Sequence, residues 1–127
     1  MKPKKTRSLL SAFQDAGKGI TYCFCSQRNM KIHLLAAAGV LLAGAVTGLS
    51  TLQYCVLVLV IMAVLMAEMI NTAIESVVDL VMPEYHPLAA LAKDVAAGAV
   101  LLAAVAAVVV GVLIFGPWLW GLLQRLV

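Results

Sequence analysis

The sequence predicts an all-α membrane protein, built as an amphipathic surface helix followed by three transmembrane helices, and three observations lead there. Of 127 residues, 64% are hydrophobic and the mean hydropathy is +1.05, well above the apolar share of about 45–50% in soluble domains. The apolar residues gather in three runs, each long enough for the roughly 20 helical residues that a bilayer crossing takes. Seven of the nine basic residues, Lys2, Lys4, Lys5, Arg7, Lys18, Arg28 and Lys31, precede the first run. Under the positive-inside rule the N-terminal segment stays cytoplasmic, the Val81 to Lys93 region returns to that side, and the C-terminus lies outside. The basic segment is therefore read as a topological signal, and no nucleic-acid partner is expected.

The length accommodates one domain, 1–127. Cys23, Cys25 and Cys55 are odd in number and form no CxxC pair, so neither a disulfide framework nor a zinc site is expected. The charged N-terminus has no apolar core before Ile32 and no small-residue cleavage pattern, so it is not read as a signal peptide.

Over about 8–30, Leu9, Leu10, Phe13, Ile20, Phe24 and Met30 interleave with Gln14, Asp15, Lys18, Gln27 and Arg28. This is an amphipathic pattern, suited either to the interfacial plane or to packing on the spans. The first span is expected over about 32–49, ending at the polar turn Gly48-Leu49-Ser50-Thr51. The second, about 52–78, exceeds one crossing, so its C-terminal end projects into the cytoplasmic interface. Pro83 and Pro87 bracket Glu84-Tyr85-His86 in a helix-breaking loop. A third helix starts near Leu88 and spans 95–115, with Gly116-Pro117 expected to end it and Trp118 and Trp120 to anchor the interface. Small residues such as Ala96-Ala97-Gly98-Ala99 permit close helix approach. Three short helices hardly enclose a site alone, so a homo-oligomer with sites shared between neighbours is expected.

The second span carries Glu68, Asn71, Glu75 and Asp79 where an inert span carries leucine or valine. At about 100° per residue, Glu75 and Asp79 fall roughly 20° to either side of Glu68, and Asn71 about 60° away, so all four share one stripe about 16 Å long. A charge at the centre of a span costs at least about 2.5–3.5 kcal/mol, which marks aligned carboxylates as functional. The bland alternative pairs them with Arg28, Lys31 or Lys93 to hold the bundle. Carboxylates at different depths take different roles: the desolvated Glu68 suits proton abstraction, and Glu75, nearer water, suits a hard cation. Beyond the span come Glu84, Tyr85, His86, Lys93 and Asp94, a polar cluster where a water-soluble ligand can dock, with Lys93 a natural phosphate partner. The sequence contains no P-loop or glycine-rich nucleotide motif.

The run Ala67-Glu68-Met69-Ile70-Asn71-Thr72-Ala73-Ile74-Glu75-Ser76-Val77-Val78-Asp79 resembles the signature of the bacterial diacylglycerol kinase family of small membrane lipid kinases. Pro83-Glu84-Tyr85-His86-Pro87-Leu88 and the segment from Ala92-Lys93-Asp94 to Leu101 resemble the rest of its pattern, at the same spacing. The resemblance covers roughly Ser8 to Phe115. It implies a homotrimer of three-span subunits in the bacterial cytoplasmic (inner) membrane, and transfer of the ATP γ-phosphate to a lipid hydroxyl with a divalent metal, usually Mg2+. Carried across, Glu68 is the general base and meets the lipid, Asn71 supports it, and Glu75 binds the metal. Glu75, Glu84, Tyr85, His86, Lys93 and Asp94 face the nucleotide, while Asn29 and Lys31 are assigned to the lipid side. Gln27 stands where the family usually has a second metal-binding glutamate, so weaker metal affinity is expected.

The segment Gln27-Arg28-Asn29-Met30-Lys31-Ile32-His33 looks more like the Gram-positive branch, which resembles undecaprenol kinases. The expected product is undecaprenyl phosphate, with phosphatidic acid from diacylglycerol as the alternative. Two readings of another class stay open. A small ion or proton transporter explains the stripe alone, and an inactive lipid-binding relative rests on Gln27.

Overall fold

The computed structural model describes residues 8–126, which form four helices and no strand among the described residues: α1 (Leu9–Ser26), α2 (Arg28–Thr47), α3 (Thr51–Val81) and α4 (Pro87–Gln124). Four of the basic residues used for orientation, Lys2, Lys4, Lys5 and Arg7, lie outside the described residues.

Ser8 opens α1, its Oγ accepting from the Ser11 N–H at 3.2 Å. The helix ends at Gln27, whose extended backbone (φ −87°, ψ 123°) serves at once as its C-cap and as the entry to α2. The surface helix is thus shorter than the 8–30 expected, and Arg28, Asn29 and Met30 belong to the first turn of the next helix. Hydrophobic spacing does not register this break, because Met30 continues the apolar pattern and is fully buried, with Cys23, Leu65 and Phe24 around it.

The turn from α2 to α3 has a local cause at each end. Gly48 closes α2 in the left-handed conformation (φ 69°, ψ 46°), which costs a glycine no steric strain. A capping box then opens α3: the Gln53 N–H donates to Ser50 Oγ at 3.3 Å, and Gln53 Oε1 accepts from the Ser50 N–H at 2.9 Å. The two helices nearly touch here, since a Cβ added at Gly44 would lie 3.0 Å from Leu49 Cδ1 and 3.2 Å from the Tyr54 ring.

The 31 residues of α3 extend about 46 Å. Counted back from the tight turn, the first turn of α2 comes level with Glu68–Met69, so the remaining three turns of α3 project beyond the start of α2, as expected of an over-long span. The helix stops at Met82, the residue before Pro83, where the proline ring disfavours helical backbone. Pro87 opens α4 at its first position, where a missing N–H removes nothing, and His86 Nδ1 accepts from the Leu88 N–H at 3.2 Å as its N-cap.

One expectation fails: α4 does not end at Gly116-Pro117 but runs through Pro117 to Gln124, taking Trp118 and Trp120 with it. Gly116 has no Cβ to meet the proline ring, and one missing backbone bond costs less than ending a helix among apolar side chains. All three of α2, α3 and α4 are long and apolar enough to cross a membrane. α3 packs chiefly on α4 and next on α2, and α1 rests on both α2 and α3. The apolar window of α3 is 33% buried against 11% for α2 and none for α4, so α3 is the backbone of the fold and the outer faces are left for lipid or other subunits.

Candidate active site

The buried polar residues among those described are Glu68, Asn71 and Thr72, all on one stretch of α3. Thr72 satisfies itself locally, its Oγ1 donating to the Glu68 carbonyl at 2.9 Å. Glu68 and Asn71 do not. Glu68 is only 2% exposed, and its Oε2 and the Asn71 Oδ1 have no hydrogen-bond donor among the described residues. Leaving a polar group buried and unsatisfied costs about 1–3 kcal/mol, more when it is charged, so such oxygens mark a site built for an outside donor or cation.

Both residues line a groove of about 310 Å³ at the level where α2 begins. Asn29, Ile32 and His33 contribute from α2, Glu68, Asn71 and Glu75 from α3, and Ala97, Val100, Leu101 and Ala104 from α4. The groove exists because two of the α4 wall residues are alanines. Asn71 ties the α3 side together, its Nδ2 donating to Glu75 Oε1 at 3.3 Å and leaving Oδ1 free to face elsewhere. The helical stripe of Glu68, Asn71 and Glu75 is therefore a real surface.

Asp79, the fourth member, is drawn into a different role. It is exposed and accepts from Lys93 Nζ, joining the last turns of α3 to the second turn of α4. This is the bundle-holding pairing that the sequence left as an alternative, confined to one carboxylate. With both side chains more than a third open to solvent, such a pair contributes at most about 1 kcal/mol, and a phosphate can compete for the lysine.

Glu84, Tyr85, His86 and Asp94 are exposed, on or beside the loop capping α3 and α4, and none of them lines the groove. Asn29 reaches the groove, whereas Lys31 is exposed outside its lining. Gln27, half-buried at the α1–α2 junction, is likewise absent from the lining. The residue that sequence reasoning missed is His33. It sits one helical turn after Asn29 and shares the groove with Glu68, and the i, i+4 spacing of two polar residues at the start of an apolar run was its only signal.

The donor set fits a hard cation. Glu75 offers a carboxylate and Asn71 Oδ1 is an acceptor with no donor among the described residues, both oxygen ligands. The described residues hold no cluster of three His, Cys, Asp or Glu able to bind a metal alone.

A family model for prokaryotic diacylglycerol kinase matches residues 14–115, a stretch that includes the whole groove and the loop above it. The chain belongs to the prokaryotic diacylglycerol kinase family. Within that family it is 48% identical over 105 residues to a diacylglycerol kinase of Synechocystis, covering 82% of this chain and 60% of the relative. It is 43% identical over 106 residues to an undecaprenol kinase of Bacillus subtilis, covering 84% of this chain and 86% of that one. To the diacylglycerol kinase of Escherichia coli it is 47% identical over 49 residues, 39% of the chain. The chain thus spans about three fifths of the Synechocystis relative and most of the Bacillus one.

Proposed function

We propose that this family member transfers the γ-phosphate of ATP to the hydroxyl of a membrane lipid, undecaprenol ahead of diacylglycerol. The observation that carries the reading is the buried Glu68 Oε2, an acceptor with no donor among the described residues, on a residue that lines a groove beside Glu75 at the start of α2. A lipid alcohol supplies the missing donor. Similarity along most of both chains to the Bacillus undecaprenol kinase supports the polyprenol, and the Synechocystis relative keeps diacylglycerol as the alternative.

In this mechanism the alcohol O–H donates to Glu68, which takes the proton as the oxygen bonds to the γ-phosphorus and the bond to the ADP oxygen breaks. Asn71 holds Glu75 in place through Nδ2. Glu75 and Asn71 Oδ1, with the Gln27 side-chain carbonyl at the α1–α2 junction as a further oxygen, would hold a Mg2+ ion, which would supply charge neutralisation for the phosphates. Lys93 exchanges Asp79 for a phosphate oxygen. Glu84, Tyr85, His86 and Asp94 meet the nucleotide from the loop side, and Asn29, with Lys31 outside, meets the lipid head. Catalysis on this plan is mostly positioning.

The basic residues of α1 and early α2 orient the chain with its N-terminus in the cytoplasm of a bacterium, the groove opening on that face of the inner membrane. A homotrimer covers the outer faces of α2 and α4, where little of the apolar surface is buried.

The test is to give the purified protein labelled ATP, Mg2+ and either undecaprenol or diacylglycerol in parallel mixed micelles. Preferential labelling of undecaprenol is expected. Preferential labelling of diacylglycerol moves the protein to phospholipid turnover, and labelling of neither refutes the kinase reading.

A further inference from the structure

The carboxylate groove does not end at Ala104. A second groove of about 280 Å³, formed by the same three membrane helices, shares two lining residues with it, His33 and Ala104. Below that junction the character changes. Apart from His33 every lining residue is apolar: Val40 and two alanines from α2, Leu57 to Leu65 along α3, and Ala107, Val108 and Gly111 from α4. The two grooves therefore adjoin at His33 and Ala104 along the same three helices, the polar one reaching Glu68 and the apolar one Leu57, about 16 Å apart along α3.

His33 stands at the change of polarity. It is half-buried, and its side chain makes no hydrogen bond among the described residues. An imidazole carries an N–H on at least one ring nitrogen in any protonation state, so His33 has a donor to offer at the mouth of the apolar slot. Resting on the lipid-kinase reading above, we propose that the apolar slot holds the part of the lipid tail next to the hydroxyl, and that His33 is a positioning residue that hydrogen-bonds the lipid oxygen and holds it toward Glu68. The occupant is one hydrocarbon chain, because the slot is a single groove adjoining the place where the hydroxyl must sit. A glycerolipid with two tails leaves one outside, whereas a polyprenol has one tail to place.

The wild-type protein supplies the first test. A long-chain alcohol carrying a photoactivatable diazirine a few carbons from its hydroxyl is incubated with it in micelles, irradiated and mapped by peptide sequencing. Label on the slot residues of α2, α3 and α4 is expected. Label confined to outward-facing residues such as Leu35, Leu102 or Val109, or to none, overturns the proposal.

Kinetics supply the second. His33→Leu is expected to lower kcat for lipid phosphorylation by about tenfold, and His33→Gln, which restores an N–H, to recover most of it; equal loss in both makes His33 merely structural. Ala107→Leu fills the slot without touching the carboxylate groove, and is expected to shift the ratio of kcat/KM for a long-chain over a short-chain alcohol by about tenfold toward the short one, the effect of withdrawing about two methylenes from apolar contact. An unchanged ratio removes the slot from the lipid path. If the wild type phosphorylates no lipid, the kinase reading has failed; if it does and these variants leave the ratio and kcat alone, only the tail subsite has.

Discussion

Glu68, Asn71 and Glu75 share one face of α3, yet each meets a different surrounding, and substitutions separate them. Asn71→Ala removes the 3.3 Å bond to Glu75 and an oxygen ligand together, so turnover is expected to fall by about tenfold with a higher Mg2+ requirement, about the loss of one charge-assisted hydrogen bond. Titrating activity against Mg2+ checks it, and an unchanged curve separates Asn71 from the metal. Gln27→Glu is expected to lower the Mg2+ concentration for half-maximal activity, and an unaltered dependence removes Gln27 from the metal site. Lys93→Met abolishes both its ion pair with Asp79 and its proposed phosphate contact. If the phosphate contact is real, KM for ATP rises by tenfold or more while thermal stability changes by less than about 1 kcal/mol, since an exposed pair contributes no more. The stripe was legible because helical periodicity fixes which residues share a face. The Asp79–Lys93 pair was not, since its partners are 14 residues apart on two helices, and neither was the role of His33, which depends on what α4 places opposite it.

Helix ends followed local chemistry where the chemistry was strong. Gly48, the Ser50–Gln53 box and the Pro83 to Pro87 loop put the turns where the sequence indicated. Pro117 ran against the same logic, because a rule for helix breaking drawn from water loses force where unpaired backbone has no solvent to turn to. Gly48→Ala should destabilise the protein by about 1 kcal/mol, since alanine must adopt a positive φ there. Pro117→Ala should leave the melting temperature unchanged or raise it, because α4 is already helical on both sides. Melting followed by circular dichroism in detergent tests both, and a large loss of stability in Pro117→Ala would show that the proline holds a kink the packing needs. The alanines at 97 and 104 that open the groove carry no signal of their own in sequence, since they act through the space they leave.

At the scale of the whole molecule, one subunit buries very little. Among the described residues Met30 alone of the large side chains is fully enclosed, and the apolar window of α4 contains no fully buried residue. A chain so thinly packed completes itself with lipid or with copies of itself; the proposed homotrimer predicts that chemical crosslinking in native membranes traps a three-subunit species, and a ladder ending at monomer would contradict that proposal. Along one side of α3 lie the groove at the head of α2, with its buried carboxylate and oxygen-bearing neighbours, and next to it the apolar slot. The central claim is that Glu68 is the base for a lipid hydroxyl, and it is tested most directly by measuring phosphate transfer from labelled ATP to undecaprenol by wild type and Glu68→Gln, with nucleotide binding measured on both. The account predicts a fall in turnover of about 10²–10⁴-fold, the size of a general-base contribution, with ATP affinity retained. Transfer at the wild-type rate by Glu68→Gln would contradict it.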